Sequence, residues 1–140
     1  MSLVGRRLVR AVSANVAQTS PDDPDPRLRG RTLGIPFDRV WNEAREIATR
    51  LRGWQVIEAD DYAGLIHAEA RTMLFGRVGD VVITVGLDED AQTRVDLKSS
   101  SRKGGGDFGT NARRISKFLR QLDRALARPD PQRKVTGQAD

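Results

Sequence analysis

The chain has no cysteine. Disulfide bonds, thiolate metal centres and a cysteine nucleophile are therefore excluded. A single histidine, His67, rules out a two-histidine zinc site and leaves little room for imidazole acid–base chemistry. Aromatic residues make up 5% of the 140 residues. They form no stacking motif of the kind that reads single-stranded nucleic acid. No apolar run approaches the ~20 residues of a membrane-spanning helix. Arg10 interrupts the only apolar stretch near the start, so a secretory signal is not expected there. A cytoplasmic or peripheral-membrane setting is the expectation that remains.

What the chain does have is positive charge, unevenly placed. Between Lys98 and Arg128 stand nine Lys or Arg against Asp107 and Asp123, a local excess of +7 in a chain whose net charge is +5. Such a segment suits an anionic partner: an acidic protein, a lipid surface or nucleic acid. The competing reading is a solvated helix face. Nucleic acid is the weakest of the partners, because the phosphate-binding charge comes without aromatic stacking residues.

Three regions follow from composition. In residues 1–17, Leu3, Val4, Leu8, Val12 and Val16 recur near helical spacing beside Arg6, Arg7 and Arg10, a basic amphipathic segment able to lie on an anionic membrane. The proline-rich QTSPDDPDPRLRG then reads as linker, giving a first region over 1–30. A single domain over 31–128 follows, and the polar RPDPQRKVTGQAD reads as a tail over 129–140.

Within the domain, RTLGI (31–35) reads as a short edge strand ended by Pro36. Phe37, Val40, Trp41, Ala44, Ile47, Ala48 and Leu51 then recur at the three-and-four spacing of one buried helical face, with Gly53 as a left-handed stop. Four strands come next: WQVIEA, GLIHAEARTMLF, DVVITVGL and TRVDLKS. Their alternation of apolar and polar residues marks an antiparallel sheet covered on one face. A second apolar stripe, Phe108, Ala112, Ile115, Phe118, Leu119, Leu122, Ala125 and Leu126, defines a last helix. Two amphipathic helices and a half-apolar sheet are satisfied together when both helices lie on the apolar face. The expected fold is a two-layer, helix-grip-like α+β domain of order (β)αββββα; a START-like sheet around an apolar cavity is the alternative.

The run SSSRKGGGDFGTNARRI, Ser99 to Ile115, joins the last strand to the last helix. Glycines before a helix can cradle a phosphate. Gly104 and Gly109 have the P-loop separation, but Thr110 and Asn111 follow where Lys and Ser/Thr are required, and the sheet is antiparallel. No dinucleotide fingerprint is present either. Glycine tolerates positive φ, so a hinge with Asp107 or Thr110 as helix cap remains, beside an anion or partner site.

This run, with GDVVITV and RTLGIPFDRVW before it, resembles the bacterial and plastid family called domain of unknown function 1499, over about residues 20–125. Asp80 fits the second acid of that family's Asp-Asp-Val. Ser99, Ser101, Arg102, Gly104, Asp107, Gly109, Asn111, Arg114 and Ile115 fit its long motif. Gly79 stands where the first acid is usual, and Lys98 where Arg is. The resemblance implies a fold and a site region, and a membrane-associated or exported setting for many members. It implies no reaction.

The residues singled out for binding a ligand or partner are thus Asp80, Ser101, Arg102, Asp107, Asn111, Arg113, Arg114, Lys117 and Arg120. No catalytic set, cofactor or metal site is expected: His67, Glu69, Asp80 and Asp96 share a sheet face with Arg71, Arg94 and Lys98, as in a ladder of cross-strand ion pairs. The expected function is that of a non-enzymatic accessory module, docking on an acidic or membrane-bound protein partner through the basic tail or last helix. A small-ligand binder, apolar or anionic, is the alternative, and an enzyme using Asp80, Arg102 and Asp107 comes third.

Overall fold

The computed structural model describes residues 15–72, 76–102 and 108–132. Its elements run β1 (Val16–Gln18), β2 (Arg31–Leu33), α1 (Phe37–Arg50), β3 (Trp54–Asp60), β4 (Leu65–Arg71), β5 (Val78–Leu87), β6 (Thr93–Ser101) and α2 (Phe108–Ala127). The strands form one antiparallel sheet in the order β1-β6-β5-β4-β3, with β2 also paired to β6. The fold is the expected α+β one, an antiparallel sheet with an N-terminal and a C-terminal helix on one face, extended by β1.

Alternation decides which face the helices take. Ile66, Ala68 and Ala70 of β4, Val81, Ile83 and Val85 of β5, and Val95 and Leu97 of β6 are all buried. Against them lie Val40, Ala44, Ile47 and Ala48 of α1 and Ile115, Phe118, Leu119 and Leu122 of α2. Trp54 stacks on Phe118 with ring centroids 6.0 Å apart. Each large side chain moved out of water here contributes roughly 1.5–3 kcal/mol, so the two helix stripes dominate the stability. Arg39, in the first turn of α1, donates from Nη2 to the carbonyl oxygens of Leu126 and Arg128. The helices therefore run antiparallel. At the far end of α1, Gly53 takes a φ of +83° and the chain turns into β3.

Residues 15–17 are not part of an amphipathic helix, and 18–30 are not a linker. Val16, Ala17 and Gln18 pair with Ser100, Ser99 and Lys98, and both Ala17 and Leu28 are buried. The Thr19 hydroxyl donates to Asp96 Oδ1 (2.7 Å) and accepts from the Leu97 backbone N–H (3.0 Å). The Pro/Asp stretch forms a capped 3-10 turn, Pro26–Leu28, because proline needs no N–H donor at a turn start and Asp25 accepts from the Arg27 N–H. Only residues 15–17 of the expected membrane-binding segment, and 129–132 of the expected tail, fall among the described residues.

Three large apolar residues lie outside the core. β3 carries an irregularity between Val56 and Glu58, and Ile57, next to inward-facing Val56 and so on the uncovered side, is about half exposed. Leu87 extends the apolar side of β5 past the cover of the helices and is 62% exposed. Phe108, the first residue of α2, is 38% exposed rather than part of the core.

Candidate functional site

The residues singled out from the sequence fall into three places. The first is between the sheet and the start of α2. Asn111 is fully buried, and its amide meets four partners. Nδ2 donates to the Asn15 carbonyl (2.7 Å) and to Ser101 Oγ (3.1 Å). Oδ1 accepts from the Ser99 hydroxyl (2.7 Å) and from Arg114 Nη1 (3.1 Å). That saturates the two donors and two acceptor sites of the side chain. Arg114, also buried, donates from Nη2 to the Ala70 carbonyl (3.3 Å). Ser99, Ser101, Asn111 and Arg114 thus clamp α2 onto β1, β4 and β6.

Gly79 belongs to the same arrangement. A Cβ there would collide with Arg114 Nη1 and stand 2.6 Å from the Ser100 carbonyl oxygen. The guanidinium occupies the space that a side chain at 79 would need.

The second place is the opposite, uncovered face. Neighbouring strand residues point to opposite sides, so Asp80 faces away from Gly79 and from the clamp. An acid pair at 79 and 80 could not converge on one site. Asp80 Oδ1 meets His67 Nε2 at 2.9 Å and accepts from Arg102 Nη2 at 2.9 Å. Its Oδ2 accepts from Arg102 Nε at 3.0 Å. Arg102 Nη2 also donates to Glu69 Oε1 at 2.6 Å. The Arg102 guanidinium, helped by His67, holds the Asp80 carboxyl down at about 2 against the opposing effect of burial. The same bonds, to Asp80 first and then Glu69, raise the Arg102 pKa above its usual value. Register explains the meeting: Glu69 pairs with Asp80 across β4 and β5, and Asp80 with Ser100 across β5 and β6, leaving Arg102 two residues further along to fold back. An ion-pair cluster does lie on this face, but its cation is Arg102 rather than the expected Arg71, Arg94 or Lys98: Arg94 pairs with Asp96 of its own strand and Arg71 donates to the Gly76 carbonyl. Among the described residues no group of three metal-ligating side chains could hold an ion.

The third place is the solvent side of α2. Arg113, Lys117 and Arg120 are exposed, as are Arg124 and Arg128 along the same line. Their spacing puts them opposite the buried stripe. None of the five forms an ion pair among the described residues. Asp123, the one acid in α2, is turned aside into a two-bond pair with Arg31 Nε and Nη2 (2.9 and 3.0 Å). Asp107 lies outside the described residues, as do Gly104, Gly105 and Gly106. Thr110 lies inside the first turn of α2 and so is not its cap.

The sequence reading did not single out Ser99, Asn15 or Gly79 as parts of one clamp. Strand parity could have separated Ser99 and Ser101 from Ser100 and Arg102; the use of the Asn15 carbonyl needed the position of β1.

A crystal structure of the protein TTHA0849 from Thermus thermophilus is similar at 13% identity, with a TM-score of 0.39, covering 80% of this chain and 97% of that one. No curated protein matches. The model of one family, described as "Protein of unknown function (DUF1499)", matches residues 9–122. That span includes the clamp, the ion-pair cluster and most of the basic row, and the chain belongs to this family.

Proposed function

We propose that this protein is a non-catalytic docking module that meets an acidic protein surface along the solvent side of α2. The observation that carries the reading is the row Arg113, Lys117, Arg120, Arg124 and Arg128, exposed and without an ion pair among the described residues. Four of the five are arginines, whose planar fork suits carboxylates better than lysine does. The clamp at Asn111 fixes the start of the helix, so the row is held on a rigid element.

The other readings draw less from the structure. Among the described residues Phe118, Ile115, Ile47, Ile66 and Ile83 pack, fully buried, between helices and sheet, which supports a solid core over an apolar ligand cavity there. A general base at Asp80 would need a free oxygen and a pKa nearer the working pH; here both oxygens are bonded and the carboxyl sits at about 2.

Affinity purification of the wild type and of an Arg113→Glu/Lys117→Glu/Arg120→Glu variant from the native cells tests the proposal. The variant should fold and lose an acidic protein that the wild type retains. Recovery of the same partners by both would refute it. Equal loss of binding to anionic vesicles, with no protein partner affected, would assign the row to lipid instead.

A further inference from the structure

The sheet end where α2 finishes carries the opposite charge. The β3–β4 turn brings Asp60 and Asp61, and the β5–β6 turn brings Asp88, Glu89 and Asp90. Both turns lie at one end, since Leu65 pairs with Thr84 and Leu87 with Thr93. None of these five acids forms an ion pair among the described residues. The oxygens of Asp60 and Asp88 that are bonded accept only backbone N–H groups of their own turns.

A second, separate feature marks the same end. Among the described residues four large hydrophobic side chains are exposed, and the two most exposed are here: Tyr62 at 100% and Leu87 at 62%. Apolar side chains rimmed by unpaired charge have the make-up of a contact surface. A tyrosine ring and carboxylates are also the two groups that arginine engages best, by stacking and by forked hydrogen bonds.

We infer that this acidic end docks on the α2 row of a second copy of this chain. The inference rests on the docking reading of α2 and names one occupant of that face. No ion pair joins the two patches within one chain among the described residues, so both stay open to a second copy. Between copies they meet head to tail, a contact that can repeat. The dimensions agree in part: turns two strands apart span about 10 Å, whereas Arg113 to Arg124 run about 16 Å along α2. An acidic end therefore covers two or three of the five cations. The contact is small, weak and sensitive to salt, and it leaves the row available to a larger acidic partner that displaces it.

Sedimentation velocity of the full chain at low and high salt tests this. Wild type should sediment faster as its concentration rises at low salt, and lose that dependence at high salt. An Asp61→Lys/Glu89→Lys/Asp90→Lys variant and the α2 reversal variant should each stay monomeric alone, yet associate when mixed, because each supplies the patch the other lacks. Tyr62→Ser should weaken association with an unchanged melting temperature. A wild type that stays monomeric at low salt, an end variant that associates like wild type, or a mixture that does not associate would each overturn the inference. The end variant keeps its basic row. If it and the wild type both stay monomeric while the row still captures a foreign partner, self-association falls and the docking function stands.

Discussion

At the scale of the residue, Asn111 and Asp80 do different work with similar chemistry. Asn111 sits in a dry site with every hydrogen-bonding position used. Truncating it removes the partner of the buried Ser99 hydroxyl and takes one bond each from Arg114 and from the Asn15 carbonyl, which keeps the Ser101 N–H; hydrogen bonds lost in the interior are costly. Asn111→Ala should lower unfolding free energy by about 2–4 kcal/mol, measured by urea denaturation. Asn111→Asp should be as harmful, because an acceptor would face the Asn15 carbonyl. Gly79→Ala meets the fixed Ser100 carbonyl as well as the movable Arg114; a loss of roughly 1–3 kcal/mol in the same assay is expected from such overpacking.

Asp80 acts through its charge. Its carboxyl is held at about 2 in the folded protein against an ordinary value of 3.8. A depressed folded pKa gives stability that is complete above the unfolded value and disappears as pH falls through the folded one. The contribution should therefore be full above about pH 4–5 and be lost towards pH 2. Because the pair is partly exposed, about 1 kcal/mol is a reasonable size. Acid unfolding of Asp80→Asn compared with wild type measures it: the two stability curves should converge below pH 3, and parallel curves would contradict the assignment.

At the scale of the element, α2 is built against its own stability. Lys117 has Arg113 and Arg114 one turn before it and Arg120 one turn after, and like charges at these spacings repel by about 0.2–0.5 kcal/mol per pair. Lys117→Gln should thus raise the melting temperature slightly while weakening binding along the row. Such a rise would show that the charge is kept for something other than folding. β1 makes the opposite case. Only three residues long, it supplies buried Ala17, the Asn15 carbonyl used by Asn111 and Ser101, and the Thr19 link to β6. Deleting residues 1–20 should lower the melting temperature by at least several degrees; a truncated chain that melts like the full one would show that β1 is dispensable.

At the scale of the whole molecule, the motif that ties the chain to its family is divided between two faces. Ser99, Ser101, Asn111 and Arg114 form the clamp inside, and Asp80 and Arg102 form the ion-pair cluster outside. A continuous sequence run had read as one site. Strand alternation splits it, so Ser99, Ser101, Asn111 and Arg114 fasten α2 to the sheet, and the docking surface we propose is the neighbouring row of side chains on that helix.

The periodicities of the chain by themselves set the two helices, the four long strands, the face each buries and the basic line on α2, because these are local patterns with periods of 3.6 and 2. Charge on the last helix was legible for the same reason. Three things depended on tertiary contact. The segment around Val16 became a strand only because β6 offered it an edge, whereas its spacing alone reads as part of an amphipathic helix. Asn111 found its four partners only when β1, β6 and α2 met. The acidic turns came together only through the register of the sheet, since residues 60–61 and 88–90 share no sequence neighbourhood.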